Sequence, residues 1–377
     1  MAEESPQQSP PLSATGMYRA RPSSLQSGGS SGDREKFERD ELAIVLSHFD
    51  LGILQKLKDF PKGSRKAPKL LIKSNQGAYL LKRRAVDKCD PKMVAFCHGL
   101  QMHLAAKQFP LPHLVGTRED NNSMLEWSDC IYEVFEFING TRYDRSLEAT
   151  QDAGRILGLF HQLITDYQSD YKPPSGTYHG ARAVEKALDA IPDRLAKVDP
   201  EHEARKDRLG ELVAFLRESY QGAWEKAESY GLAKWPKQVC HSDWHPGNML
   251  YLKTRIVAVI DYDAARYQQR IIDAANGALQ FSVIRTADTV DQWPEHLDLS
   301  RFKRFLMGYD GVNQLSQNEL EVIPWLMMEA MIAEASIPVA TAGRFAHIDG
   351  FDFLEMVERK VRWLKQNAAE LTSVLDD

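Results

Sequence analysis

The sequence predicts an α+β protein of two lobes, a β-rich N-lobe followed by a mainly helical C-lobe with a short β-hairpin set into it. Three observations predict this. Between residues 52 and 140, apolar residues fall in strand-length runs separated by turn residues, with one helical stretch among them. Beyond Gly140 they recur at helical spacing. Residues 239–263 then interrupt the helical part with short apolar runs bracketing a polar loop.

The elements follow in order. Residues 1–35 are rich in Ser, Pro, Gln and Gly and carry almost no large apolar side chains, so they cannot offset their ordering entropy and are expected to be a disordered tail. The N-lobe, residues 36–138, opens with an amphipathic helix around Glu41-Leu42-Ala43-Ile44-Val45-Leu46. A strand over 53–57 and a turn over 61–65 follow. Strands 69–73 and 78–83 pair across Asn75-Gln76-Gly77, whose glycine supplies the positive φ of a tight hairpin. A helix from Pro91 to Gln108 stops before Pro110-Leu111-Pro112. Strands 124–127 and 131–137 complete the lobe before Asn139-Gly140. In the C-lobe, residues 139–377, helices cover 154–161, the repeat Leu209, Leu212, Val213, Leu216, Tyr220 and Trp224, and residues 323–335 and 351–367. Pro192 and Pro200 are expected to interrupt the region before the second of these.

Composition sets outer bounds. The chain has 377 residues, 43% of them hydrophobic, enough for one large core or two lobes. A formal net charge of -6 gives no bulk attraction to nucleic acid or to an anionic membrane, so neither is expected as a partner. No stretch reads as an unbroken transmembrane span, and the N-terminus lacks an apolar signal region. Cys89, Cys97, Cys130 and Cys240 form no C-x-x-C pair, which suits reduced thiols and a cytoplasmic location. Oligomeric state is left open.

The chemistry concentrates in Val239-Cys240-His241-Ser242-Asp243-Trp244-His245-Pro246-Gly247-Asn248-Met249-Leu250 and in Ile256-Val257-Ala258-Val259-Ile260-Asp261-Tyr262-Asp263. Phosphoryl transfer needs a carboxylate at the acceptor hydroxyl and oxygen ligands that hold Mg²⁺ on the phosphates. His241, Asp243 and Asn248 read as H-x-D-x-x-x-x-N, the spacing of a kinase catalytic loop with serine in place of arginine. Lys253-Thr254-Arg255 is the expected turn of a hairpin that brings Asp261 back as the second carboxylate.

With Tyr79-Leu80-Leu81-Lys82, residues 132–140 (YEVFEFING) and residues 153–161 (AGRILGLFH), these motifs resemble those of the aminoglycoside phosphotransferase and choline-kinase-like superfamily, of homoserine-kinase or CotS type. The resemblance spans roughly residues 40–370. It implies a two-lobed protein-kinase-like fold and an ATP-dependent transfer of the γ-phosphoryl group to a hydroxyl of a small molecule, a metabolite or aminoglycoside-like acceptor. Asp243 would then meet the substrate hydroxyl. Asn248 and Asp261 would hold Mg²⁺. Lys82 would bridge the phosphates, the turn with Gly63 and Ser64 would cover them, and Glu136, Phe137 and Ile138 would offer backbone groups to adenine. Asp263, Trp244, His245 and His241 would touch substrate or support the loop, and Glu329 and Glu334 are further candidates to line the acceptor pocket.

Two departures stand out. There is no G-x-G-x-x-G, and the helix from Pro91 contains no Asp or Glu to pair Lys82, so His98, Gln101 or His103 would have to serve through a hydrogen bond. The absence of an Ala-Pro-Glu tripeptide after Asp261 favours a small acceptor over a protein. Two other readings stay open: a catalytically weak coat-type protein that keeps the fold, and a metal-dependent hydrolase using His241, Asp243 and His245.

Overall fold

The structure, a computed structural model, describes residues 34–199, 201–285, 289–373 and 375. The expected tail lies outside these residues except for Arg34 and Glu35. The chain divides into two compact units. The first takes the residues up to Gly140 together with Tyr167–Pro173 and Val257–Asp263, and the second takes Thr141–Asp166, Pro174–Ile256 and Ala264–Asp377. Asp261 and Asp263, expected in the C-lobe, therefore cluster with the first unit.

The first unit contains α1 (Arg39–Ser47), β1 (Leu54–Asp59), β2 (Lys69–Ser74), β3 (Ala78–Arg83), α2 (Pro91–Ala106), β4 (Leu125–Trp127) and β5 (Cys130–Glu136). The strands form one antiparallel sheet in the order β1-β2-β3-β5-β4. Side chains alternate between its faces. Leu70, Ile72, Leu81, Tyr132 and Val134 share one face and bury against Val45 of α1, with Phe49 and Leu51 just beyond it. Ile131 projects to the other face and packs with Val94 and Ala95 of α2. The same alternation sends Arg83 towards α1, where it pairs with Glu41 at 2.6 Å, and Lys82 to the α2 side. Asp90 caps α2 by accepting from the Lys92 amide, and Pro91 occupies its first turn.

The second unit contains α3 (Leu147–Leu163), α4 (Arg182–Val198), the one-turn α5 (Glu201–Ala204), α6 (Lys206–Ser229), β6 (Lys237–Cys240), β7 (Met249–Leu252), the start of β8 (Arg255–Val259), β9 (Arg266–Gln269), α7 (Arg270–Ser282), α8 (Leu299–Asp310), α9 (Gln317–Ala342), β10 (Arg344–Phe345), β11 (Ile348–Asp349) and α10 (Gly350–Thr372). Pro192 does not interrupt the helical region, and Pro200 lies outside the described residues. Pro192 sits inside α4, whose Val184, Leu188, Ile191 and Leu195 bury one stripe, and that packing outweighs the lost amide hydrogen bond. Helices α3 and α8 approach closely at Gly154 and Gly308. A Cβ on Gly154 would run into the Phe305 carbonyl, and one on Gly308 into that of Gln151.

Helix α9 is long and apolar enough by length and composition to cross a membrane, which the sequence reading did not anticipate. Its most apolar window is 78% buried within the fold, so it is a core helix. Strand β9 was also unexpected. It pairs antiparallel with β6, Cys240 opposite Arg266, before the chain enters α7. Strands β7 and β8 form the anticipated hairpin, with Lys253 turning at φ +55°. Asp152 of α3 anchors its far strand by accepting from the Ile256 amide at 2.7 Å and from Arg255 at 2.9 Å.

Candidate active site

The predicted residues divide between the two units. In the first unit, antiparallel register aligns Lys69 of β2, Lys82 of β3 and Glu133 of β5 across the sheet, because directly opposed residues share a face. Lys82 Nζ lies 3.4 Å from Glu133 Oε2 and 3.7 Å from Asp263 Oδ2. Burial alone would lower the pKa of Lys82, but Glu133 outweighs it with help from Asp263 and Asp261, and the net shift is upward. Lys69 moves the other way, because burial and the Lys82 charge both act against its protonated form. Arg84 Nη2 bridges Glu133 Oε1 and Asp263 Oδ1, each at 2.8 Å. Burial would raise the Asp263 pKa, but Lys82 and Arg84 hold it below the usual carboxylate value.

Asp261 is exposed and sits at φ +66°, the left-handed region that costs a non-glycine residue on the order of 1 kcal/mol. The Gly63–Ser64 turn is clasped by Arg34, which donates to the carbonyls of Ser64 at 2.8 Å and Gly63 at 3.1 Å. Gly63 takes φ +81°, and a Cβ there would meet Lys69 Nζ at 2.7 Å. Of the backbone groups expected at adenine, the amides of Glu136 and Phe137 already donate to His113 and Ala78 at 2.8 Å each. An incoming base would have to use other groups of this stretch.

In the second unit, the loop after β6 is fixed from behind. Asp273 of α7 accepts from the amides of His241 at 2.9 Å and Ser242 at 3.0 Å, which holds Ser242 at φ +64°. His161 approaches the same carboxylate at 3.3 Å and meets Tyr309 through its other nitrogen at 2.8 Å. Cys240 lies close by, but burial pushes its thiol pKa well up and its Sγ reaches the Gln268 carbonyl at 3.7 Å, so it stays a thiol beside the His161–Asp273 pair. Trp244 is fully buried, and its indole N–H donates to the Ala153 carbonyl at 3.2 Å.

Asp243 faces outward with 43% of its side chain exposed. Burial pulls its pKa up, but the His245 imidazole and the Asn248 amide overcome it and hold the carboxyl below its ordinary value. Asn248 Nδ2 donates to the Asp243 carboxylate at 2.8 Å and to its carbonyl at 2.9 Å. With the nitrogen committed to two acceptors, Oδ1 is the end turned away, which suits a hard cation. Gly247 donates to His245 Nδ1 at 3.0 Å, so Nε2 carries the proton towards Asp243, 3.6 Å away.

Several expectations change. His241 is buried with its ring against Phe160 and Trp244, so it supports the loop and does not form a metal trio with Asp243 and His245. Trp244 lies in the core with its indole N–H committed to the Ala153 carbonyl. Glu329 is fully buried, with Oε2 2.6 Å from His179, whose pKa rises because Glu329 and Glu228 outweigh its burial. Glu334 does border an open cleft, with Gln280, Arg285, Trp293, Phe345 and Lys360 among the other lining residues. Burial and the charge of Asp243 push Glu334 up to about 7 against Gln280, His245 and Arg285. The sequence reading missed Glu133, an acid alternating into the middle of an apolar strand, and Arg84, two residues beyond Lys82 on the same face.

The chain matches the phosphotransferase enzyme family (APH) over residues 56–311. It belongs to that family. This phosphotransferase is 26% identical over 295 residues to the homoserine kinase of Sinorhizobium medicae (strain WSM419), covering 76% of this chain and 79% of the relative. It is 28% identical over 296 residues to that of Rhizobium etli (strain CIAT 652), covering 76% and 81%. Among solved structures it resembles an aminoglycoside phosphotransferase from Alicyclobacillus acidocaldarius subsp. acidocaldarius DSM 446, with a TM-score of 0.63 at 17% identity over 90% of this chain and 99% of that one. The amicoumacin kinase hAmiN in complex with AMP-PNP, Ca2+ and Ami gives a TM-score of 0.60 at 15% identity, over 86% and 94%. The fold is thus the α+β, protein-kinase-like one that the motifs implied. This phosphotransferase is a small-molecule kinase, with an alcohol group as acceptor.

Proposed function

We propose that this kinase moves the γ-phosphoryl group of ATP to the hydroxyl of a small zwitterionic acceptor of the amino-acid type, homoserine first among those to test. The observation that carries the reading is Asp243, kept ionised at an exposed edge of a loop whose backbone is fixed by Asp273. An ionised carboxylate there can orient an acceptor hydroxyl and receive its proton as the phosphoryl group departs. Lys82 would pair with the nucleotide phosphates. Asn248 Oδ1 and the Asp261 carboxylate would hold Mg²⁺, whose charge would offset that of the phosphates.

The acceptor class is argued from the cavity bordered by Glu334. It is lined mostly by apolar side chains with a few polar groups among them, the usual make-up of a small-molecule site. Its wall sets a carboxyl, Glu334, among cations, Arg285 and Lys360. Lys360 is committed to the Pro294 and His296 carbonyls, whereas Arg285 lies over the Trp293 ring. An α-amino acid would offer its ammonium to Glu334 and its carboxylate to Arg285. The homoserine kinases among the relatives bear names that fit such an acceptor. The test is a thermal shift with ATP, with and without Mg²⁺, followed by a phosphoryl-acceptor screen. Stabilisation by ATP that requires Mg²⁺, and transfer to homoserine in preference to amino alcohols without a carboxylate, are expected. No Mg²⁺-dependent shift would remove the nucleotide reading, and equal transfer to both acceptor types would remove the zwitterion.

A further inference from the structure

Helix α2 carries no acid, yet Lys82 does not lack an acidic partner. Glu133 lies directly across the β3–β5 ladder from it and is fully buried. A carboxylate taken out of water costs several kcal/mol unless it is paired and hydrogen-bonded, and here each oxygen has a separate task. Oε1 receives Arg84 Nη2 at 2.8 Å and His98 Nε2 at 2.7 Å. Oε2 has no hydrogen-bond partner, and what faces it is Lys82 Nζ at 3.4 Å.

His98 comes from α2, the helix that the sequence reading found empty of acids. Burial, aided by the charges of Arg84 and Lys82, keeps its ring neutral against the pull of Glu133. Nε2 then donates to Glu133, and Nδ1, 2.8 Å from Ser123 Oγ, accepts from that hydroxyl. A buried relay thus runs from Ser123 through His98 to Glu133 and ends at the lysine. Arg84 ties the same carboxylate to Asp263, so the set is braced from two sides.

We propose that Glu133, braced by His98 and Arg84, is the acidic partner that positions Lys82 for the phosphates of a nucleotide. The inference rests on the reading of Lys82 as the phosphate-binding lysine. Lysine and acid then sit on adjacent strands of one sheet, and the helix acts at one remove through a neutral histidine. Displacing α2 would not by itself separate the pair, because hydrogen bonds between β3 and β5 hold it in register.

A double-mutant cycle tests this, with the affinity of Mg²⁺ and AMP-PNP for the full chain measured by calorimetry. Lys82→Ala and Glu133→Gln should each weaken binding about 10- to 100-fold, the scale of a lost charge-assisted hydrogen bond. In the Lys82→Ala background, Glu133→Gln should then change affinity by less than about 2-fold, because its effect passes through the lysine. His98→Gln, the milder variant, carries the same test if Glu133→Gln does not fold, and its weakening should likewise vanish without Lys82. A loss of equal size in both backgrounds would make Glu133 merely structural and overturn the proposal. So would unchanged binding by both Glu133→Gln and His98→Gln while Lys82→Ala weakens it. If Lys82→Ala itself leaves binding unchanged, the lysine reading falls and takes the proposal with it.

Discussion

The two groups of candidate residues, one in each unit, are built on opposite principles. In the first unit, Lys82, Arg84, Glu133 and Asp263 form a charge-dense set whose members hold one another, with Glu133 fully buried and Arg84 5% exposed. In the second unit, Asp243 is half exposed and its loop is held through the backbone, by Asp273 beneath two amides and by Trp244 in the core. The first arrangement fixes cations, as binding a polyanion requires. The second presents a carboxylate and an amide oxygen while its rigid parts stay out of reach. On the function proposed above, nucleotide binding would rest on the sheet and acceptor chemistry on the loop.

The largest expected effect tests that division directly. Asp243→Asn keeps the shape and the Asn248 contact but removes the base, so kcat should fall roughly 10²- to 10⁴-fold, the usual worth of a positioned acid–base group. Affinity for AMP-PNP with Mg²⁺ should stay close to that of the native chain. Steady-state kinetics with the acceptor from the screen, beside calorimetry, gives both numbers. If Asp243→Asn weakened nucleotide binding as much as Lys82→Ala, the two halves would not have separate tasks.

A smaller effect concerns how the loop is held. Asp273→Ala leaves the His241 and Ser242 amides without their buried acceptor and should cost about 3 kcal/mol of unfolding free energy. Urea denaturation measures this as a lowered midpoint. Activity should fall with it, because Ser242 at φ +64° depends on that carboxylate to hold its turn. A variant of native stability would show that the loop is fixed by Trp244 and the β6–β9 pairing instead.

The same contrast explains what could be read from the sequence. The loop was legible because its parts, His241 to Asn248, are contiguous and each residue type has a chemical reason to be there. The strands were legible from period-two alternation, and β3 was found to the residue. The charge set of the first unit was not, because it is gathered from β3 and the residue after it, from β5 and from the stretch after β8, and register alone brings Glu133 opposite Lys82. A signal was present: a glutamate flanked by Tyr132 and Val134 in an otherwise apolar strand is costly unless a cation meets it. Strand β9 was too short and polar to announce itself, with the sequence Arg-Tyr-Gln-Gln. Pro192 misled because local propensity yields to a helix that buries a full apolar stripe.

The smallest effect separates the halves by pH. Burial alone would raise the Glu133 pKa, but Arg84 and Lys82 hold it well below the ordinary 4.5. Its contribution is therefore complete above that value and is lost only as pH falls through the lower, folded-state value. Glu334 behaves oppositely, since burial lifts it from 4.5 to about 7. Between those values the folded chain holds the proton more tightly than the unfolded one, so stability falls as pH rises across this window. Solvent in the open cavity screens the charge, which limits the swing to about 1 kcal/mol or less. Urea midpoints at pH 5 and pH 8 should show Glu334→Gln gaining on the native chain at the higher pH. The deficit of Glu133→Gln should be the same at both, because its carboxylate is ionised throughout. A pH-independent Glu334→Gln difference would mean that this carboxyl is solvated like an ordinary surface acid. The proposed contact between Glu334 and an acceptor ammonium would then lose its support.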